Sequence, residues 1–142
     1  MTIAQGATNT FKVGLPSGSF NFNADTFKIA LYTGASSIGP DTTAYTTDGE
    51  VVATGYTAGG SVLTVTQVPT VGNQTGVATA YLSFANVEWT AALTARGALI
   101  YKVGGGNPSV CVLDFGADKT STTTFTVQFP AATNTAAIIR IS

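Results

Sequence analysis

The chain has 142 residues, of which 44% are hydrophobic and 9% are charged, with six Lys or Arg, seven Asp or Glu, and no His. This length is typical of one domain, and we expect residues 1–142 to form a single one. Without histidine there is no His-based catalytic triad and no His-ligated zinc. The net charge of -1 supplies no basic patch for a phosphate backbone, so nucleic acid is not expected as a partner.

The sequence also argues against a membrane partner and a secreted location. No stretch approaches the roughly 20 consecutive apolar residues that a spanning helix needs. The opening residues Met1–Gly6 lack the basic start and apolar centre of a secretory signal, which indicates folding in the cytosol. The single cysteine, Cys111, lies in the apolar run Ser109–Leu113 and is predicted to be a small buried residue.

Thr, Ala, Gly and Val dominate the chain, a composition that favours pleated sheets over helices. Residues 1–24 follow neither the helical nor the strand period, so we expect a less regular N-terminal segment with a short helix near Thr8–Leu15. The alternation in Thr26–Thr33 predicts a strand with Phe27, Ile29 and Leu31 on one face. The next segment, Gly34–Gly49, predicts a long partner-contacting loop with a helical turn near Tyr45.

The rest of the chain predicts further short strands separated by turns. They are Glu50–Thr54, Ser61–Val68 (ended by Pro69), Gly76–Phe84, Val87–Thr90, Thr94–Val103, Val110–Phe115, Thr123–Phe129 and Thr135–Ile141. Gly104–Pro108 predicts a hairpin turn between two antiparallel strands. About eight or nine strands at spacings of roughly 8 to 12 residues are typical of a sandwich or barrel. We therefore predict an all-β fold, a single-domain antiparallel β-sandwich that is jelly-roll-like or of another two-sheet topology.

Groups that carry chemistry are sparse. Gly104–Gly106 is not predicted to cradle a phosphate, because a strand and not a helix follows it. Asp114 and Asp118 flank a predicted turn at Gly116 without the oxygen-rich loop that calcium needs, and Asp114 is placed to pair with Arg96 across two strands. No serine lies in a nucleophile elbow or in Ser-x-x-Lys spacing. We expect no catalytic activity, no metal and no cofactor.

The surface is expected to consist largely of Thr, Ser, Ala, Asn and Gly. Removing such groups from water costs less free energy than removing the charged side chains of Lys or Glu. This surface therefore suits packing against other chains in a homo-oligomer or symmetric assembly. The predicted protein-contact residues are Tyr45 in the long loop, Tyr56 in the following turn, and Gly104, Gly105, Gly106 and Asn107 in the hairpin turn. Trp89 is predicted to anchor the core.

A string of motifs in a fixed order resembles a family of short tailed-bacteriophage virion proteins. The motifs are Asp25–Thr33, Thr42–Tyr45 with Glu50 and Val51, Thr54–Gly60, Ala95–Tyr101 and Val112–Gly116, and the resemblance spans about Phe11 to Ile141. It implies a structural component of the virion, assembled in the cytoplasm of the bacterial host, with no catalytic residues.

Two classes of function follow as hypotheses. The first is a virion structural protein, either a capsid cement or decoration protein bound to the major capsid protein, or a tail, baseplate or head-tail joining component bound to other virion proteins. The second is a receptor- or carbohydrate-binding module in which exposed aromatic rings such as Tyr45, Tyr56 or Trp89 stack on sugars.

Overall fold

The structure, a computed structural model, describes residues 2–74 and 76–141. Its elements in chain order are β1 (Gly6–Ala7), α1 (Asn9–Gly14), β2 (Phe27–Tyr32), β3 (Ser61–Val62), β4 (Val65–Gln74), β5 (Val77–Phe84), β6 (Val87–Trp89), β7 (Thr94–Lys102), β8 (Ser109–Thr120), β9 (Phe125–Val127) and β10 (Ile139–Ile141). Helix α1 begins where the Thr8 hydroxyl accepts a hydrogen bond from the Phe11 amide. The short helix expected near Thr8–Leu15 is thus present.

The strands form three antiparallel sheets. The main sheet has the order β1-β8-β7-β2-β3, a second has the order β10-β5-β4, and β6 pairs with β9. In the main sheet, β7 and β8 form a long hairpin whose register runs from Tyr101 opposite Ser109 to Thr94 opposite Thr120. The fold is an all-β, sandwich-like single domain, as predicted, and no sheet closes into a barrel within the described residues.

The main sheet is buried on both faces. On one face, Phe27, Ile29 and Leu31 of β2 join a core that extends to the two smaller sheets. On the other face, Ala30 and Tyr32 join a second, smaller core cluster. Ile3 and Ile38 belong to that second cluster, which shows that the N-terminal segment and the long loop cover the outer face of the sheet. The alternation predicted for β2 is confirmed, although the burial of its second face was not foreseen.

The inter-sheet core is rich in aromatic rings. Phe22 stacks on Phe27 with ring centroids 4.4 Å apart, and Phe84 of β5 lies against both. At the other side of the core, Trp89 is 6% exposed and packs against Phe125. Trp89 is therefore a core anchor, as expected.

Several predicted boundaries are wrong for identifiable reasons. Glu50–Thr54 is not a strand: Glu50 forms an isolated bridge to Tyr32 and the Val51 amide bonds to the Leu31 carbonyl, but Val52 then turns outward and is 98% exposed. Pro69 does not end its strand. It lies within the register shift between Gln67 and Thr70 of β4, an edge strand, where a residue without an N–H is tolerated.

Other differences are smaller. No helical turn forms near Tyr45, because Ala44 is held extended by a bridge to Pro108. The chain does not reverse at Gly116, where a turn was predicted. Strand β8 passes through that residue, which has φ 79°, and continues to Thr120. The last strand is shorter than predicted, Ile139–Ile141.

We expect Phe27→Ala to lower the free energy of unfolding by about 3–5 kcal/mol, because the ring is 1% exposed and its loss leaves a cavity in the aromatic core. Denaturant unfolding followed by Trp89 fluorescence measures this change. Val52→Ala is the matched control, and its effect is expected to stay within about 0.5 kcal/mol. Equal effects of the two substitutions would contradict this placement of the core.

Candidate functional site

The long loop that follows β2 is bound tightly to the sheet. The Tyr32 hydroxyl donates to the Thr46 carbonyl at 2.7 Å, and the Thr33 amide donates to the Gly49 carbonyl at 2.8 Å. Ile38 adds a buried apolar anchor. The loop is therefore an ordered layer over the outer face of the main sheet.

One buried carboxylate organises the end of this loop. Glu50 is 8% exposed, and its Oε1 accepts hydrogen bonds from the Tyr56 hydroxyl and the Gly59 amide, both at 2.8 Å. Its Oε2 accepts from the Tyr45 hydroxyl at 2.6 Å. These three donors replace the water that a carboxylate loses on burial, because charge-assisted hydrogen bonds are the strong ones. The arrangement joins the loop before Glu50 to the turn after it.

The same hydrogen bonds continue into the main sheet. The Tyr56 hydroxyl also accepts from the Leu31 amide at 2.8 Å, and the Tyr101 hydroxyl donates to the Gly59 carbonyl at 2.6 Å. Gly60, at φ 78°, lies so close to the Ile29 carbonyl that a Cβ atom would collide with it. This turn therefore fits against β2 and β7 only with glycine at that position. We refer to Glu50 with Tyr32, Tyr45, Tyr56 and Tyr101 as the tyrosine cluster.

The tyrosine cluster holds a negative charge among phenols. The described residues contain two ion pairs, Arg96 with Asp114 and Lys102 with Asp25, and neither involves Glu50. Burial raises the pKa of all four tyrosines above the ordinary value, and the nearby Glu50 carboxylate raises each pKa further because it disfavours a second negative charge. The four tyrosines are therefore neutral phenols, whose hydroxyls donate hydrogen bonds and stay protonated.

The loop also reaches the predicted hairpin turn. The Tyr45 amide donates to the Asn107 carbonyl at 3.0 Å, and the Tyr45 ring stacks on Tyr101 with centroids 4.9 Å apart. The predicted hairpin turn is confirmed, and Gly104, Gly105 and Gly106 all have positive φ, as does Asn107 at 55°. The Asn107 side chain fixes the turn by accepting from the Gly104 amide at 2.8 Å.

We call residues 43–45 together with residues 103–108 the loop face. It contains no charged residue. Val103 is 41% exposed, and Gly104, Gly105 and Gly106 are exposed. Beside it lies an open groove of about 690 Å³, lined by the turn and by the outer side of α1. The loop face is thus an ordered, uncharged surface composed largely of main chain.

The predicted contact residues separate into two groups. The fold brings Tyr45 and the turn Gly104–Asn107 together on the loop face, and their contact with a partner stays a prediction. The prediction of Tyr56 as a contact residue is wrong. Its side chain is 8% exposed and its hydroxyl is hydrogen-bonded to Glu50, so it offers no surface to a partner. Tyr56 and Trp89, both buried, likewise cannot stack on a sugar, and the ring of Tyr45 is half-buried against Tyr101.

Glu50 was not singled out by the sequence reasoning. Its signal was an acid directly before the valines Val51 and Val52, with tyrosines five residues before and six residues after it. Arg96 and Asp114 do pair across β7 and β8 at 3.3 Å, as expected. The Asp114 pKa is lowered, mainly because the carboxylate accepts a hydrogen bond from the Gly116 amide, with Arg96 adding to the shift.

The described residues show no group of three or more Cys, Asp or Glu that could hold a metal ion. Within the same part of the chain, no helix is long and apolar enough to cross a membrane. Cys111 is buried, as predicted, and burial raises the pKa of its thiol to about 12. Comparison of the chain with protein-family models, with curated proteins and with solved structures gave no match.

We expect Glu50→Ala to lower the free energy of unfolding by about 2–4 kcal/mol, because three donors, two of them buried, lose their acceptor. Glu50→Gln should cost less, since its amide still accepts through one oxygen. Glu88→Ala, at an exposed acid on β6, is the control and should change stability by less than about 0.5 kcal/mol. Urea unfolding measures all three, and an Ala variant as stable as the control would disprove the role of Glu50.

We expect stability to fall as the pH rises above about 10. Unfolded tyrosines ionise near pH 10, whereas the four clustered tyrosines keep their protons because their folded pKa is raised. The folded state then binds more protons than the unfolded state, so the stabilisation is complete below pH 10 and is lost above it. In a Tyr81→Phe variant, which removes the tyrosine outside the cluster, phenolate absorbance and circular dichroism should change together in one transition. Gradual ionisation with an intact fold would contradict the expectation.

Proposed function

We propose that the protein is a non-catalytic structural component of a bacteriophage virion, and specifically a capsid cement or decoration protein that binds the major capsid protein. The observation that carries the proposal is the loop face, an uncharged surface that the contacts of Glu50 and the tyrosines keep ordered in the unbound protein. A surface that is already ordered loses little conformational entropy on binding. It also leaves no charge to be desolvated without compensation.

The ordered motifs that resemble virion proteins support the same function. In a symmetric particle, one weak contact is repeated in every copy, so an interface of roughly 800 Å² per partner is sufficient for stable attachment. Few charges across the whole chain suit such close packing. The second candidate within this class is a tail, baseplate or head-tail joining component, for which the same uncharged surface would close a ring.

Copy number per particle distinguishes the two candidates. Quantitative mass spectrometry of purified particles, referenced to the major capsid protein, is expected to give hundreds of copies for a protein that covers the capsid. About a dozen copies or fewer would instead indicate a ring at the tail or portal. Absence from the particle would overturn the proposed function.

A charge on the loop face should prevent attachment without affecting the fold. We expect Val103→Glu to reduce occupancy in particles at least about tenfold, because the new carboxylate must be buried without a partner. Thr120→Glu is the matched control, since Thr120 is exposed at the opposite end of the same β7–β8 hairpin. Mass spectrometry gives occupancy and thermal unfolding verifies folding. Substitution is preferable to truncation of Gly34–Gly49, because that loop covers the second core cluster.

Equal occupancy of the Val103→Glu variant and the wild-type protein would exclude the loop face as the attachment surface.

A further inference from the structure

A second groove lies away from the loop face, where two sheet edges approach each other. It has a volume of about 670 Å³ and is lined by β1, α1, the middle of β8, and β10. Phe11, Leu15 and Ile139 are among its apolar lining residues. Sites of this size and character are typical of ligand or peptide binding.

The groove exposes main-chain groups as well as apolar side chains. Strand β10 pairs with β5 on one side and has no strand on its other side within the described residues, and all three of its residues line the groove. Strand β1 covers only Val112 and Cys111 of β8, and the next amide on that edge, Asp114, already donates to the Gln5 side chain. The edge to which a strand could be added is therefore that of β10. An open edge beside an apolar groove fits an extended peptide, whose main chain adds a strand while alternate side chains enter the groove.

The charges at the groove have one sign. Lys12 and Arg140 are its only charged lining residues, and both are exposed. One Arg140 nitrogen donates to the Thr135 carbonyl, and the two described ion pairs leave both cations without a carboxylate. The complementary occupant is therefore acidic as well as apolar.

The chain does not offer such a segment of its own among the described residues. Its long edge strand β4 contains no acid, and the whole run from Ser61 to Val87 is uncharged. Of the acidic residues, Glu50 is buried, and Asp25 and Asp114 are already paired. Glu88 is exposed and has apolar neighbours in β6, but Val87 and Trp89 are buried in the core and cannot enter the groove of another copy. A second copy of this chain is thus a poor match to the two cations.

We propose that the groove between α1 and β10 binds an extended segment of the major capsid protein, in which apolar residues alternate with Asp or Glu, as an added strand beside β10. The naming of that partner rests on the proposed function, whereas the chemistry of the segment rests on the groove alone. The protein would then bind the capsid at two places, through the loop face and through the capsid segment added beside β10.

The chemistry is tested with purified full-length protein and a displayed library of random seven-residue peptides. We expect the enriched peptides to alternate apolar residues with Asp or Glu. For the best peptide, labelled with a fluorophore, Lys12→Glu combined with Arg140→Glu should weaken binding at least about tenfold in anisotropy measurements. A version of the peptide with Lys in place of the acids should bind the double variant in preference to the wild type.

Lys119→Glu is the control, because it makes the same charge reversal at an exposed residue of β8 outside the groove. Its affinity for the peptide should match that of the wild type. No enrichment, enrichment of peptides without acids, or equal binding by the double variant would each overturn the proposal.

The source of the segment is tested in particles, with a photo-crosslinking amino acid placed at Leu15 in the groove or at the exposed Val52 as a control. Crosslinks from Leu15 to an acidic, apolar segment of the major capsid protein are expected. Crosslinks only to a second copy of this chain, or none in particles that contain the protein, would overturn the inference and leave the proposed function intact. Absence of the protein from particles would overturn the proposed function, and the peptide measurements would still report on the groove.

Discussion

The burial of one carboxylate constrains how residues 33–60 are arranged over the main sheet. Glu50 carries a negative charge into the protein and is stabilised there by two phenols and a main-chain amide instead of a cation. Removing those donors would leave an uncompensated buried charge, which is among the most unfavourable states in a protein. The loop before Glu50 and the turn after it therefore have to approach each other, and the outer face of the main sheet is covered as a result.

This constraint explains why a long, polar loop behaves as part of the core. Tyr32 and Tyr101 project from the main sheet, and their hydroxyls bind the loop carbonyls of Thr46 and Gly59. The rings contribute apolar area while their hydroxyls satisfy main-chain groups that would otherwise be unpaired. The loop face lies on elements that this network and the β7–β8 hairpin hold in place. The groove between α1 and β10 instead depends on β8 and on the pairing of β10 with β5.

The sequence predicts the regular elements well and the irregular ones poorly. Period-two alternation located β2 and β5, and the apolar run Ala98–Tyr101 located β7, because the burial of these strands is set by neighbours in the sheet. It failed at Pro69, since only the position of β4 at a sheet edge makes proline acceptable there. It also failed at Glu50 and Tyr56, because their burial depends on contacts between side chains and loops that no local pattern encodes. The position of Tyr45 beside Asn107 likewise required the folded chain, although both residues had been selected as contacts.

The hairpin turn limits how the loop face can change over time. Three successive glycines and Asn107 adopt backbone angles that other residues tolerate poorly. Most substitutions there would strain the turn, so sequence drift should be slow even though the residues are exposed. A partner would meet peptide groups, whose hydrogen-bonding pattern is the same whatever the side chains. Under the proposed function, such a surface would still fit a shell protein whose side chains had changed, provided that the shape of the shell was retained.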